Sequence, residues 1–232
     1  MIDTRSLVDR VYEYLLTQII TGEIKYGDAI NIKQIAATLD ISTMPVREAL
    51  KRLEFEMIVS IKPRSSCRLL KPSRKMIREV YELREVIELY AATFGRCRQN
   101  PERLRRLDAI VEKMRQLDNE KEVSVKEKAA IALDRAFHSE ICGLADNDFM
   151  DNTHRQLSLH VNMTLIHERT YHKLESQWAE NHAEIVRSLE QDPSLVADVL
   201  RRHFNNVLEL IPMDEDNCAC ESEDTDIKGE TT

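Results

Sequence analysis

Residues 32–56, IKQIAATLDISTMPVREALKRLEFE, decide the fold of this chain. Apolar side chains recur at helical spacing on both sides of a three-residue turn at 40–42, which predicts two short helices. Ser42 suits the N-cap of the second helix, and Pro45 lies in its first turn, where a missing backbone N–H costs little. Two helices joined in this way are typical of a helix-turn-helix.

The flanking segments extend this motif to a winged helix-turn-helix. An amphipathic helix is predicted over 7–21, and two β-prone runs at 57–62 and 67–71 predict a hairpin after the motif. The break at Pro72 and Ser73 ends this domain, so the N-terminal winged helix-turn-helix is assigned to residues 1–72.

The rest of the chain is predicted to be a bundle of six helices, which makes the protein mainly α. The segments with helical apolar spacing are 74–98, 101–118, 125–145, 148–170, 174–190 and 194–211. Residues 73–212 are therefore assigned to one C-terminal all-α domain. Residues 213–232, MDEDNCACESEDTDIKGETT, are acidic and nearly free of large apolar groups, which predicts a disordered tail.

Charge is distributed unevenly, although the net charge is −8. Residues 1–75 carry 13 Lys and Arg against 9 Asp and Glu, so only the N-terminal part favours phosphate. No apolar run approaches the roughly 18 residues that suggest a membrane span. The N-terminus does not resemble a signal peptide, and the five cysteines are scattered, which together predict a cytoplasmic protein without a disulfide framework.

The outward face of the second helix of the motif is basic. A helix-turn-helix places this helix in the major groove, where Arg47 can make two hydrogen bonds to guanine O6 and N7. The candidate DNA-contacting residues, with those of the preceding helix and the hairpin tip, are Lys33, Thr43, Met44, Arg47, Lys51, Arg52 and Arg64. The alternatives are a solvated basic face and a winged helix used for protein contact.

Four residues of metal-binding type occupy positions where the helical pattern predicts apolar side chains: Asp134, His138, His182 and His203. They lie in three helical segments, and Asp134 and His138 are four residues apart, so their side chains converge. Burying a polar group without a partner lowers the stability of the fold. One carboxylate and three imidazoles can avoid this loss by sharing a divalent ion such as Zn²⁺ or Ni²⁺. The alternative is a buried hydrogen-bonded Asp–His network without metal.

Residues 7–59, LVDRVYEYLLTQIITGEIKYGDAINIKQIAATLDISTMPVREALKRLEFEMIV, resemble the DNA-binding domain of GntR-family bacterial transcription regulators, most strongly at PVREALKRLE. Residues 77–92, IREVYELREVIELYAA, resemble the opening of the FCD effector domain of the FadR subfamily. The six-helix count is similar to the shorter, VanR-like branch, and the resemblance covers about 1–211. It implies a transcription regulator that binds double-stranded operator DNA. Repression is the expectation for a member of this family. A homodimer is expected because one winged head makes too few contacts for a genomic site.

The chain departs from the family pattern in its DNA-binding residues. Thr43 stands where Arg is usual, residues 31–33 stand where Ser-Glu-Arg is usual, and the wing tip at 64–67 lacks the usual Gly. These departures predict an operator that differs from the family norm and a weaker affinity.

The resemblance also implies a metal site and a ligand beside it. Each of the four metal-type residues matches its position in the FCD metal site, and the family commonly binds small carboxylates or sugar acids there. Arg84 could pair with such a carboxylate, or could instead form a surface ion pair with Glu88 four residues later. The helix that carries Arg84 has a predicted apolar seam of Val80, Leu83, Ile87 and Tyr90.

Other polar residues of the bundle are weaker candidates. His160 and Asn162 are further candidates for the effector cavity. His154, His167 and His172 match no apolar seam, so they are predicted to be solvated.

Two other functional classes compete with a regulator. A metal centre of this composition could activate water in a hydrolase, but the chain has no HExxH, GxSxG or P-loop motif, and an enzyme would leave the DNA-binding half unexplained. A protein-interaction module that has lost DNA recognition is favoured by Thr43, Ser66 and the acidic tail. The sequence favours a regulator that is not an enzyme.

Overall fold

The computed structural model describes residues 6–62, 66–117, 120, 122–167, 177–191 and 193–210. The predicted acidic tail, the hairpin tip with Arg64, and His172 lie outside these described residues. None of the described helices is long and apolar enough to cross a membrane.

Within residues 6–62 and 66–72, the N-terminal head has three helices and a two-stranded antiparallel sheet. Its elements are α1 (Leu7–Ile20), α2 (Ile32–Thr38), α3 (Thr43–Phe55), β1 (Val59–Lys62) and β2 (Ser66–Leu69). The strands pair with Val59 opposite Leu69, and the turn before α2 places Gly27 at a φ of +82°. Ser42 occupies the N-cap of α3, as expected, but its side chain makes no capping hydrogen bond.

The described residues of the C-terminal part form a bundle of six helices. They are α4 (Arg74–Phe94), α5 (Pro101–Gln116), α6 (Val123–Gly143), α7 (Asp148–His167), α8 (Trp178–Gln191) and α9 (Pro193–Leu210). Helix α4 packs against α6, α7 and α9, while α5 packs against α6 and α8. Their apolar faces share one core, in which Phe137 and Phe204 are the largest fully buried side chains.

Helix α4 differs from the predicted seam. Val80 and Ile87 are buried as expected, but Leu83 and Tyr90 are exposed. The inward face instead carries the charged pair Arg84 and Glu88, both buried. Apolar spacing alone selected the wrong stripe because this helix has apolar residues on two faces.

Helix α7 joins the bundle to the head. Two of its apolar side chains, Leu159 and Met163, belong to the hydrophobic core of the head rather than to that of the bundle. Helix α1 packs directly on α7. The position of the head therefore depends on a helix whose other face belongs to the bundle.

Candidate metal centre and DNA-binding face

The structure brings the four predicted metal-type residues together inside the bundle. Asp134 and His138 come from α6, His182 from α8 and His203 from α9, and all four are buried. Candidate ligand nitrogens of the three histidines lie within 4.8 Å of one another. Asp134 Oδ1 lies 3.4 Å from His182 Nε2 and 3.7 Å from His138 Nε2, so the carboxylate faces the same point.

Hydrogen bonds at the opposite ring nitrogens fix two of these imidazoles. His138 Nδ1 lies 2.7 Å from Glu88 Oε2, and His182 Nδ1 lies 2.7 Å from the carbonyl oxygen of Trp178. With Nδ1 donating, each Nε2 presents a lone pair to the shared point, which is the usual arrangement of metal-ligating histidine.

Two observations indicate that the donor set suits a metal ion. His182 Nε2 is buried and has no hydrogen-bond partner among the described residues. His203 Nε2 lies 3.2 Å from His138 Nε2, so two lone pairs would repel unless a proton or a cation lies near both. Three imidazoles and a carboxylate can bind an ion of the Zn²⁺ or Ni²⁺ type.

The protonation states at the centre also suit metal binding. Burial, together with the charges of the neighbouring histidines, holds the pKa of His203 well below its usual value. Burial and Arg84 likewise lower the pKa of His138. Burial raises the pKa of Asp134, but His138, His182 and Arg84 outweigh it and hold that pKa below its usual range. Neutral His138 and His203 therefore lie beside an ionised Asp134.

A small cavity of about 20 Å³ adjoins the histidines. Asp134, His138 and His203 line one side, and Tyr81 and Arg84 are also part of its wall. A volume of this size admits about one water molecule. The hydroxyl of Tyr81 and Nη2 of Arg84 are both buried without a hydrogen-bond partner among the described residues, so the wall holds two unused donors.

Glu88 is the main residue that the sequence analysis did not place in the site. Its Oε1 accepts a hydrogen bond from Arg84 Nε at 2.7 Å and lies 3.0 Å from His154 Nε2. Arg84 does pair with Glu88, but the pair is buried rather than on the surface. His154, predicted to be solvated, is also buried in this network. Glu88 was detectable in the sequence only as the residue one turn from Arg84, on the flank of the assumed seam beside Ile87.

The two weaker effector candidates lie apart from the metal cavity. Asn162 is buried and lines a separate cleft of about 990 Å³ between the head and the bundle. His160 lies against Glu56 of the head, and burial lowers its pKa despite the opposing effect of Glu56. Their place beside the head could not be predicted from sequence, because spacing along α7 does not show that this helix also contacts the head.

The predicted DNA-binding residues of α2 and α3 are mostly on the surface. Arg47 is exposed and makes no ion pair with any described residue, while Lys51 pairs with Glu48 at 2.9 Å. Lys33 and Met44 are exposed, and Thr43 is half-buried at the start of α3.

Arg52, a predicted phosphate contact, is engaged by other residues of the head. Its guanidinium lies 3.8 Å from the centre of the Tyr12 ring and pairs with Asp9 and Glu56. These contacts direct it toward α1 and the cleft, because α1 packs on that side of α3.

Comparisons with known proteins agree with the two-part architecture. The family model of "Bacterial regulatory proteins, gntR family" matches residues 7–69, and that of the FCD domain matches residues 79–206. An uncharacterized HTH-type transcriptional regulator of Mycobacterium tuberculosis is 32% identical over 114 residues, which cover 49% of this chain and only 46% of that relative. The gluconate operon transcriptional repressor of Bacillus subtilis is 25% identical over 213 residues, 87% of this chain and 84% of the relative.

A solved structure shares the fold. McbR/YncC of E. coli superposes with a TM-score of 0.73 at 24% identity, covering 89% of this chain and 98% of that one. With the FCD model matching more than half of the sequence, the chain belongs to the FCD-containing branch of the GntR family of bacterial regulatory proteins.

Proposed function

We propose that this protein is a repressor whose operator affinity is controlled by a small anionic effector that binds beside a divalent metal in the C-terminal bundle. The observation that supports it best is the convergence of three imidazoles and one carboxylate at a buried point with unused donors around it. Asp134, His138, His182 and His203 would hold the ion, which supplies a Lewis-acidic position for a ligand.

The charges around the centre favour an anionic effector. Arg84 is positive, Glu88 and Asp134 are negative, and imidazoles bind a metal in their neutral form, so a divalent ion leaves one net positive charge in a buried place. An uncompensated buried charge is costly. One carboxylate bound to the metal would neutralise the excess and could accept hydrogen bonds from Arg84 Nη2 and the Tyr81 hydroxyl.

The size of the cavity supports a mechanism for the response. A space of about 20 Å³ is too small for a sugar acid, so such a ligand must displace part of the wall. Phe204 and Val207 of α9 and Tyr81 of α4 belong to that wall, and α4 and α9 are packed together. The effector therefore gains affinity for a bundle in which these helices have moved, and it shifts the protein toward that state.

Sequence specificity is assigned to α3. Arg47 is the proposed base-contacting residue, because it is exposed, free of ion pairs among the described residues, and located near the N-terminal end of the helix. Lys33, Thr43, Met44 and Lys51 remain proposed contacts to bases or phosphates. Arg52 is left out because α1 engages it.

A homodimer would place two heads on one operator. The outer face of α4 carries an exposed apolar stripe of Leu83, Val86, Tyr90 and Phe94. Their spacing of three or four residues keeps them on one side of the helix, where they could pair with a second copy. Phe94→Glu is expected to lower the dimer fraction in analytical ultracentrifugation, whereas the same change at Phe55, exposed on the head, should not.

The proposed function is tested by fluorescence anisotropy on labelled DNA flanking the protein's own gene, or on a site selected from random DNA. The protein is titrated after EDTA treatment, after Zn²⁺ is restored, and with Zn²⁺ plus gluconate or acetate. We expect selective binding that changes on adding Zn²⁺ and again with one of the anions, with Tyr81→Phe weakening the anion response. Operator affinity that is indifferent to both would refute metal and effector control while leaving the regulator itself intact.

A further inference from the structure

We propose that Glu88 is a positioning residue that couples the histidine centre to α7, the helix on which the DNA-binding head rests. The inference rests on the proposed function, since it presumes that the histidine centre holds a divalent ion. It adds that a single carboxylate connects that centre to the head.

The two oxygens of Glu88 face different parts of the molecule. Oε2 accepts from Nδ1 of His138, a proposed metal ligand, at 2.7 Å. Oε1 lies 3.0 Å from Nε2 of His154 on α7 and accepts from Arg84 at 2.7 Å. The side chains of Glu88, His138 and His154 are at most 3% exposed, so water does not replace these bonds easily.

Helix α7 continues this connection to the head. His154 Nδ1 lies 3.4 Å from the hydroxyl of Ser158, which is buried one turn further along. Leu159 follows directly and packs in the head core, with Met163 one turn beyond it. A movement of Glu88 is therefore passed to the part of α7 that contacts α1 within about two helical turns.

The carboxylate of Glu88 couples metal binding at His138 energetically to the contact with α7. An ion that binds Nε2 of His138 makes the Nδ1 proton more acidic and strengthens its hydrogen bond to Glu88. The same carboxylate holds His154, so a change in its position or charge density must alter the bond to α7. Glu88 has one carboxylate oxygen 2.7 Å from His138 and the other within 3.0 Å of both Arg84 and His154. It can therefore accept from all three partners in one conformation.

The first experiment measures metal affinity in the full-length protein. Trp178 is the single tryptophan, and its ring centre lies 5.2 Å from that of His182, so its fluorescence should report Co²⁺ binding by quenching. Glu88→Gln keeps the shape but loses one acceptor, and we expect Co²⁺ affinity to fall about 10- to 100-fold. Thr164→Val is the matched control, because Thr164 is a buried polar residue of α7 whose hydroxyl donates to the carbonyl of His160 in the same helix.

The second experiment measures the connection to the head without DNA. Hydrogen exchange is followed in peptides covering α1 and residues 157–163, with and without Zn²⁺. We expect Zn²⁺ to change exchange in both peptides of the wild type and of Thr164→Val. His154→Phe should bind Zn²⁺ but lose the change in α1, whereas His154→Gln, whose amide can still donate to Glu88, should restore it.

The outcomes separate the inference from the proposed function. Absence of Co²⁺ and Zn²⁺ binding in the wild type would refute the metal centre, and the coupling with it. Metal binding that is equally tight in Glu88→Gln, or an exchange response that persists in His154→Phe, would overturn the role of Glu88 alone. An intact exchange response combined with metal-independent operator affinity would keep the coupling and refute metal control of DNA binding.

Discussion

Acidification of the metal-free protein is expected to destabilise it through His203. The folded protein holds the pKa of this imidazole well below its ordinary value, because it is buried beside two other histidines. In the unfolded chain the same group has a pKa near 6.5. The unfolded state therefore binds the extra proton first, so the stability is fully present above pH 6.5 and is lost as the pH falls below it.

The size of the effect follows from the difference in proton uptake. At pH 5.5 an imidazole that is protonated only in the unfolded state lowers the free energy of unfolding by about 1.4 kcal/mol relative to its value at high pH. The pKa of His138 is also lowered, and this residue adds at most a similar amount. Asp134 and Glu88 contribute little to the pH dependence of the free energy of unfolding here, since their carboxylates are ionised in the folded and unfolded states above pH 5.5.

The assay is urea unfolding in EDTA at pH 7.5 and 5.5, followed by circular dichroism. His203→Phe removes the titrating ring while keeping a planar side chain, so the loss of stability between the two pH values should shrink by about 1.4 kcal/mol. If His203→Phe loses as much stability as the wild type over this range, the burial argument for neutral imidazole at the centre is wrong.

Three further outcomes are expected. Arg47→Ala should remove specific operator binding, seen in anisotropy titrations as a loss of about 1–3 kcal/mol in binding free energy. Lys51→Ala should instead weaken binding to all sequences alike. Gly95→Ala should lower the free energy of unfolding by about 1–3 kcal/mol or more, because a Cβ there would collide with the carbonyl oxygens of Ala91 and Leu144. Zn²⁺ at 100 times its Kd should add about 2.7 kcal/mol of stability, seen as a melting temperature roughly 5–10 °C higher, with no shift in His182→Ala.

Much of the secondary structure and the grouping of the histidines could be predicted from periodicity. Helices and strands of the head lie within about three residues of their predicted ends, since capping residues and apolar spacing act locally. Asp134, His138, His182 and His203 could be placed on buried faces because each interrupts an otherwise apolar seam.

The partners of these residues could not be predicted in the same way. Whether Arg84 and Glu88 face inward depends on which of two apolar stripes on α4 meets α6, α7 and α9, and this is settled by packing across the bundle. The sequence predicts a solvated His154 because this residue aligns with no apolar seam. A hydrogen bond to the buried carboxylate of Glu88 nevertheless stabilises it in the core. The engagement of Arg52 by Tyr12 joins residues 40 positions apart, beyond any local pattern.

The enclosure of the histidine centre has a consequence for timescale. Because His138, His182 and His203 are buried in a tightly packed core, an ion bound there can exchange only when the bundle opens locally. Exchange rates would then follow the frequency of opening rather than the concentration of free ion outside. Such an ion would behave as a long-lived constituent acquired around the time of folding, and only a ligand that binds beside it and exchanges faster could report short-term changes in the cell.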